Sequence, residues 1–210
     1  MPPEVKRRYR SPQRSEQANA TRREILDAAR RLFTGQGYGR TTMEAVANAA
    51  DVSVGTVYLV FRSKLGLLSA LVAETAEDPA LDVQQVLDQP DPERQIPFGV
   101  NLVRQLHERT AGISEILRAG RDNDARLEAL WDQWQAAHLR AMSRIAHQWA
   151  RQGRLRPGLE EAQAADVLYV LCGAESYRQF VFERRWSPSQ FEEWLTDAIR
   201  RLLLQEAEPA

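Results

Sequence analysis

Residues 41–64 read TTMEAVANAADVSVGTVYLVFRSK, and this stretch decides the fold. Thr41 or Thr42 can accept a backbone N–H from the first turn of a helix, and Glu44 follows Thr41 by three residues, the spacing of a capping box. A short helix from Met43 to Ala50 is predicted, with Val46 and Ala50 on one face, and Asp51 breaks it. A second helix begins at Ser53 or Val54, and its i, i+4 pair Val57 and Phe61 turns inward. Ser53, Val54, Gly55, Thr56, Tyr58 and Leu59 are left facing outward. Small side chains at a helix start let the backbone come close to a surface, and hydroxyls beside them suit phosphate oxygens. Two short helices around a tight turn, the second with such a face, describe a recognition helix built to enter the major groove of double-stranded DNA.

The stretch resembles the DNA-binding domain of the TetR (tetracycline-repressor-like) family of bacterial transcriptional regulators. The residues that carry the likeness are Thr41-Thr42, Ala50-Asp51-Val52-Ser53, Gly55-Thr56-Val57-Tyr58, Phe61 and Ser63-Lys64. Asp51 stands where the family prefers Gly, and Asp visits the left-handed conformation more easily than most residues. Leu59-Val60 replaces a pair that is often polar or aromatic, so apolar contact of Leu59 with a thymine methyl takes the place of a backbone contact. The resemblance covers about a quarter of the chain, from Thr21 to Leu71. It implies a helical body that binds an effector, and dimerisation through a four-helix bundle made by the last two long helices of each subunit. Candidate DNA contacts are Thr41, Thr42, Ser53, Val54, Gly55, Thr56, Tyr58, Leu59 and Lys64.

The 210 residues, 43% of them hydrophobic, can bury a sizeable core as one large domain or two small ones. No apolar run approaches a membrane span, and the basic, Pro-containing start lacks the apolar core of a secretory signal. The single cysteine, Cys172, leaves no intrachain disulfide or multi-Cys zinc site and fits a reducing compartment, so a cytoplasmic protein is expected. The net charge of -1 hides an asymmetry: the first 65 residues hold twelve Lys or Arg against six Asp or Glu. A basic head on an acidic body points to a polyanion partner for the head alone.

Residues 1–19 read as a flexible basic arm with Pro2, Pro3 and Pro12 and almost nothing apolar. Arg7, Arg8 and Arg10 in it are open to two readings, a solvated tail or a minor-groove and phosphate-tracking arm. A first helix is expected from Thr21, with Glu24 completing a capping box and Ile25, Ala29, Leu32 and Phe33 as its buried stripe, ending at Gly35 or Gly37. The glycines of that ending do not form a phosphate-binding loop, because no strand precedes them and no Lys-Ser/Thr follows. Ser63 can cap a fourth helix reaching about Ala76, with Lys64 and the positive helix end forming a phosphate clamp. The prolines between Asp78 and Pro97 mark a hinge of loop or broken helix. The domain reading is an arm over 1–19, a helix-turn-helix domain over 20–66, and a helical effector-binding and dimerisation domain over 67–210.

The body reads as helices only: Pro92–Thr110, Ile113–Ala119, Asn123–Gln152, Glu160–Arg184 and Pro188–Glu206, the last opened by a Ser187 cap, Pro188 and Gln190. The fold expected is all-α. Leu127, Trp131, Trp134, His138, Ala141, Ile145 and Trp149 form one stripe, to be read as plain core or as the wall of an apolar cavity with His138 as its polar handle. The cavity reading joins Trp131, Trp134 and His138 to Phe98, Leu102 and Leu106 as ligand-binding candidates. Leu168, Leu171 and Cys172, with Trp194, Ile199 and Leu202, lie on arcs too wide for one neighbour and are the candidate homodimer interface. The three histidines lack partners at metal-ligand spacing, and the familiar catalytic signatures are missing, so no metal, cofactor or catalytic residue is assigned. The expected function is a ligand-responsive regulator, a repressor leaving a palindromic operator when a small, mostly apolar effector binds. The rival is an all-helical enzyme or small-molecule carrier whose basic head is incidental.

Overall fold

A computed structural model describes residues 12–76 and 78–205. Contacts divide the chain into two compact units, one ending at Leu71 and the other beginning at Val72. Apart from one isolated bridge, all regular structure among the described residues is helical.

In the first unit α1 spans Pro12–Leu32, a single wide turn follows over Phe33–Gly37, and α2 (Met43–Ala49), α3 (Val54–Phe61) and the start of α4 (Lys64–Ala76) complete it. Residues 12–19, expected in the arm, are instead the first two turns of α1, so Thr21 lies inside the helix and does not cap it. Residues 1–11, with Arg7, Arg8 and Arg10, lie outside the described residues. Ile25, Leu26, Ala28, Ala29 and Phe33 pack this unit's core together with Met43, Val46, Ala47, Val57 and Phe61, all at most about one-twentieth exposed. Burial of a side chain of Leu, Ile or Phe size contributes roughly 1.5–3 kcal/mol, so these residues, rather than helix propensity, hold helices as short as α2 and α3. Gly37, at φ 95°, turns the chain out of the wide turn at one of the two glycines expected to stop it.

In the second unit a short 3-10 turn (Pro79–Leu81) and α5 (Gln84–Leu87) occupy the proline-rich stretch. Then come α6 (Pro92–Gly120), α7 (Ala125–Arg151), α8 (Glu161–Leu171), α9 (Ala174–Tyr177), a wide turn (Arg178–Glu183) and α10 (Pro188–Leu203). Two boundaries differ from the expectation. The two helices predicted on either side of Gly112 are one, because Thr110, Ile113 and Leu117 are all buried and packing holds the turn that Gly112 weakens. The single helix expected over 160–184 is broken at Cys172-Gly173, where Gly173 becomes the N-cap of α9. The last helix stops at Leu203, short of the expected Glu206, because residues 204 and 205 turn back onto the loop after α7. Leu204 pairs with Leu155, and the Gln205 N–H donates to the Arg154 carbonyl at 3.1 Å. Its start is as read: the Ser187 hydroxyl accepts from Gln190 N–H and the Gln190 side chain accepts from Ser187 N–H.

The body core joins Ile96, Val100 and Val103 of α6, Met142, Ile145, Ala146 and Trp149 of α7, Leu168 of α8 and Phe191, Leu195 and Ile199 of α10. Trp149 is anchored there by an indole N–H donated to Gln95 Oε1 at 2.5 Å.

Candidate nucleic-acid interface and body cleft

The turn between α2 and α3 is set by local chemistry. The Thr42 hydroxyl caps α2 by accepting Ala45 N–H at 3.1 Å, and the Ser53 hydroxyl caps α3 by accepting Thr56 N–H at 3.1 Å. Asp51 between them has φ 53°, the left-handed conformation expected where glycine is usual. Thr41 departs from the reading: it is 2% exposed and its hydroxyl donates to the Gly37 carbonyl at 3.0 Å, so it holds the loop and offers no surface contact. The capping position therefore lies one residue later than the Thr41–Glu44 spacing suggested.

The outward face of α3 carries Val54, Gly55, Tyr58, Leu59 and Val60, all exposed, with Leu59 at 83%. Thr56 is half-buried, with its hydroxyl 2.9 Å from that of Ser53. Leu59, flanked by the exposed Tyr58 and Val60, leaves an open apolar strip beside the paired hydroxyls of Ser53 and Thr56. After α3, Arg62 takes φ 64° and α4 starts so close to α3 that a Cβ on Gly66 would stand 2.0 Å from the Phe61 carbonyl oxygen. The Ser63 hydroxyl caps α4 through Gly66 N–H at 3.0 Å. Lys64 is held: its ammonium donates to the carbonyls of Tyr38 at 2.8 Å and Gly39 at 3.2 Å and lies 4.6 Å from the Tyr38 ring centre. Two of its three donors are engaged and one is left for an outside acceptor.

In the body the ligand candidates are scattered. Phe98 and Leu102 pack half-buried against the core, and Leu106 and Trp134 are half-buried. The His138 ring donates to the Tyr169 carbonyl at 3.1 Å and stacks on the Tyr169 ring. Burial lowers its pKa. Trp131 alone of the six lines a cleft of about 420 Å³ in the body. The other walls include His107, Glu115 and Arg118 of α6, Glu175 and Tyr177 of α9, and Arg178 and Phe182 of the turn after it. Arg118 pairs with Glu115 at 2.6 Å, and Arg178 with Glu175 at 2.5 Å. Those hydrogen bonds hold both carboxylates below their usual range and raise both guanidiniums.

His107 is the residue that the sequence reading missed. It is 5% exposed, its ring stacks on Tyr177, and its Nε2 lies 2.9 Å from the Cys172 carbonyl oxygen. Burial pushes its pKa down to about 4. The available signal was its register with Val100, Val103 and Thr110 on the buried face of α6, whereas Phe98, Leu102 and Leu106 sit on the flank.

The candidate dimer residues also divide. Leu168, Cys172 and Ile199 are at most 4% exposed inside the body's own core, a correction that follows from α6 and α7 covering faces assigned to a second copy. Leu171 and Trp194 are half-buried, and Leu202 is 43% exposed. Burial pushes the Cys172 thiol up to about 12, so it is an inert packing group.

A capped helix, a left-handed turn residue and a second capped helix with an open face define a helix-turn-helix protein. Over residues 25–71 the chain matches the family model of the bacterial regulatory proteins of the tetR family. It is 35% identical over 107 residues to the HTH-type transcriptional regulator TtgR of Pseudomonas putida, covering 49% of this chain and 51% of that one. The chain spans between about a third and a half of the length of the curated relatives it matches. Among solved structures it resembles NalD, the secondary repressor of the MexAB-OprM efflux pump in Pseudomonas aeruginosa. The TM-score is 0.70 at 24% identity, over 91% of this chain and 100% of that one. The complex of SmeT with triclosan is similar, with a TM-score of 0.74 at 21% identity over 91% of this chain and 95% of that one. At such identity these two likenesses establish the fold. Among the described residues no single helix is long and apolar enough to cross a membrane.

Proposed function

We propose that the protein is a cytoplasmic, homodimeric transcriptional regulator, a repressor that binds a palindromic operator and leaves it when a small, mostly apolar effector occupies the body. It acts by binding and carries out no catalysis. The open face of α3 carries the reading: Val54, Gly55, Tyr58 and Leu59 stand clear of the core behind a Ser53 cap, in a stretch that matches the family model. Thr42, Ser53 and Lys64 position the protein on phosphates, while Val54, Thr56 and Leu59 meet base edges. Residues 20–66 act as the DNA-reading domain and 67–210 as the effector-binding and dimerisation domain. The second copy seats on apolar residues that the body leaves open, Val170 at 62% exposure and Leu202 among them. Each copy supplies one recognition helix to one half-site. The solved relatives in complex with triclosan and with choline support a small-molecule effector.

Selection of bound sequences from randomised duplexes tests this, and a two-fold symmetric site is expected. Lys64→Ala should weaken binding to every sequence and reduce the slope of log affinity against log salt by about one unit. Leu59→Ala should instead relax preference at one base position. Leu202→Glu should give a monomer in sedimentation with weak operator binding. Recovery of no symmetric site, or none at all, would sink the reading.

A further inference from the structure

We propose that the body cleft binds an uncharged aromatic ligand bearing a hydroxyl, a phenol in chemical class, whose O–H donates to Nδ1 of His107. This rests on the reading of the body as an effector-binding unit and names the ligand class and the residue that orients it.

The chemistry starts from the Cys172 carbonyl. A carbonyl oxygen only accepts, so the His107 nitrogen facing it at 2.9 Å must carry the proton. Burial keeps the ring uncharged at neutral pH. An uncharged imidazole with its proton on Nε2 presents Nδ1 as an acceptor, and the described residues supply no donor to it. His107 lines the cleft and is 5% exposed, so Nδ1 is an acceptor that a ligand donor in the cleft would meet.

Charge and shape narrow the class. Arg118 and Arg178 would invite an anion, but Glu115 and Glu175 already close them within the same cleft. Arg178 also pairs with Glu183 at 2.5 Å. A carboxylate ligand would have to displace one of these partners, while an uncharged ligand leaves both pairs in place. The remaining walls are three rings, Trp131, with the Arg121 guanidinium 5.3 Å from its ring centre, Tyr177 and Phe182, together with small residues and Ser114, whose hydroxyl is already given to the Ala111 carbonyl. Phe182 is 51% exposed, an apolar area that a flat ring in the cleft would cover. A volume of about 420 Å³ accommodates a two-ring compound.

The test uses the full chain and three probes of nearly equal size: 4-hydroxybiphenyl, 4-methylbiphenyl and biphenyl-4-carboxylate, titrated by calorimetry and tryptophan emission. The phenol should bind three- to tenfold tighter than the methyl compound, the range for one net hydrogen bond. His107→Phe should abolish that preference and leave binding of the methyl compound, and Trp131→Phe should remove most of the emission change. If His107→Phe does not fold, the probe series on the unaltered protein still decides. Equal binding of phenol and methyl compound overturns the hydrogen bond, and tightest binding of the carboxylate overturns the uncharged class. Binding of none of the three overturns the cleft as the site. Operator selection by ligand-free protein depends on none of these results. Phenol binding without release of operator would therefore break the regulatory reading and leave the ligand chemistry standing.

Discussion

Trp131 and Trp149 stand on one stripe of α7, eighteen residues and so five helical turns apart, pointing the same way from the same helix. Their surroundings differ. Trp149 is 2% exposed in the body core with its indole N–H bonded to Gln95, while Trp131 is half-buried at a cleft wall beneath Arg121. Helical periodicity fixes the direction of a side chain, and the elements that happen to run at that level fix its depth. At the Trp149 end α6 and α10 close over the helix. At the Trp131 end the chain beside it is the broken stretch after α8, and a cleft remains.

The contrast breaks most sharply at Trp149. Trp149→Ala should destabilise the protein by about 3–5 kcal/mol in denaturant unfolding, the cost of an emptied core site. An effect no larger than that at Trp131 would mean the two ends are packed alike. Gln95→Leu should cost about 1–3 kcal/mol, because it leaves the Trp149 N–H and the Gln89 carbonyl, which accepts from Gln95 Nε2 at 3.0 Å, without their partner. His107 sharpens the picture at the cleft. Its folded pKa, near 4, lies below the unfolded value of 6.5, so between these pH values the unfolded chain binds the proton and the folded one does not. The stability it contributes is complete above pH 6.5 and is lost as the pH falls towards 4. Between pH 7 and 5 the loss should be about 2 kcal/mol, and His107→Gln should flatten that part of the stability profile. Trp131→Ala should cost least, about 1 kcal/mol in the unfolding midpoint, while altering ligand response.

The head was the more legible half, because its structure is written in residues close together in sequence. The caps at Ser53 and Ser63 and the inward pair Val57 and Phe61 are local, and all stand where the spacing put them. Between Thr41 and Thr42 the spacing to Glu44 pointed to the wrong residue, since Thr41 is drawn inward by the Gly37 carbonyl four positions earlier. In the body the misreadings share a cause. The break expected between Thr110 and Ile113 is overridden by buried neighbours, while the helix expected to run through Cys172-Gly173 breaks there. Leu168 and Ile199 were assigned to a second subunit because a sequence does not show how many neighbours a helix has within its own fold. His107 was hidden for the same reason: its partner carbonyl lies 65 positions away.

The ammonium of Lys64 also acts as a clasp. By gripping the carbonyl of Tyr38, 26 positions earlier, it joins the two ends of the segment that holds α2 and α3 and turns an open run of chain into a closed ring. Closing the ring limits the freedom of everything threaded between the clasped ends. The grip opposes the fraying of α2 and α3. Amide hydrogens of α2 and α3 should therefore exchange with solvent as one cooperative group, helices of seven and eight residues behaving as a single larger body.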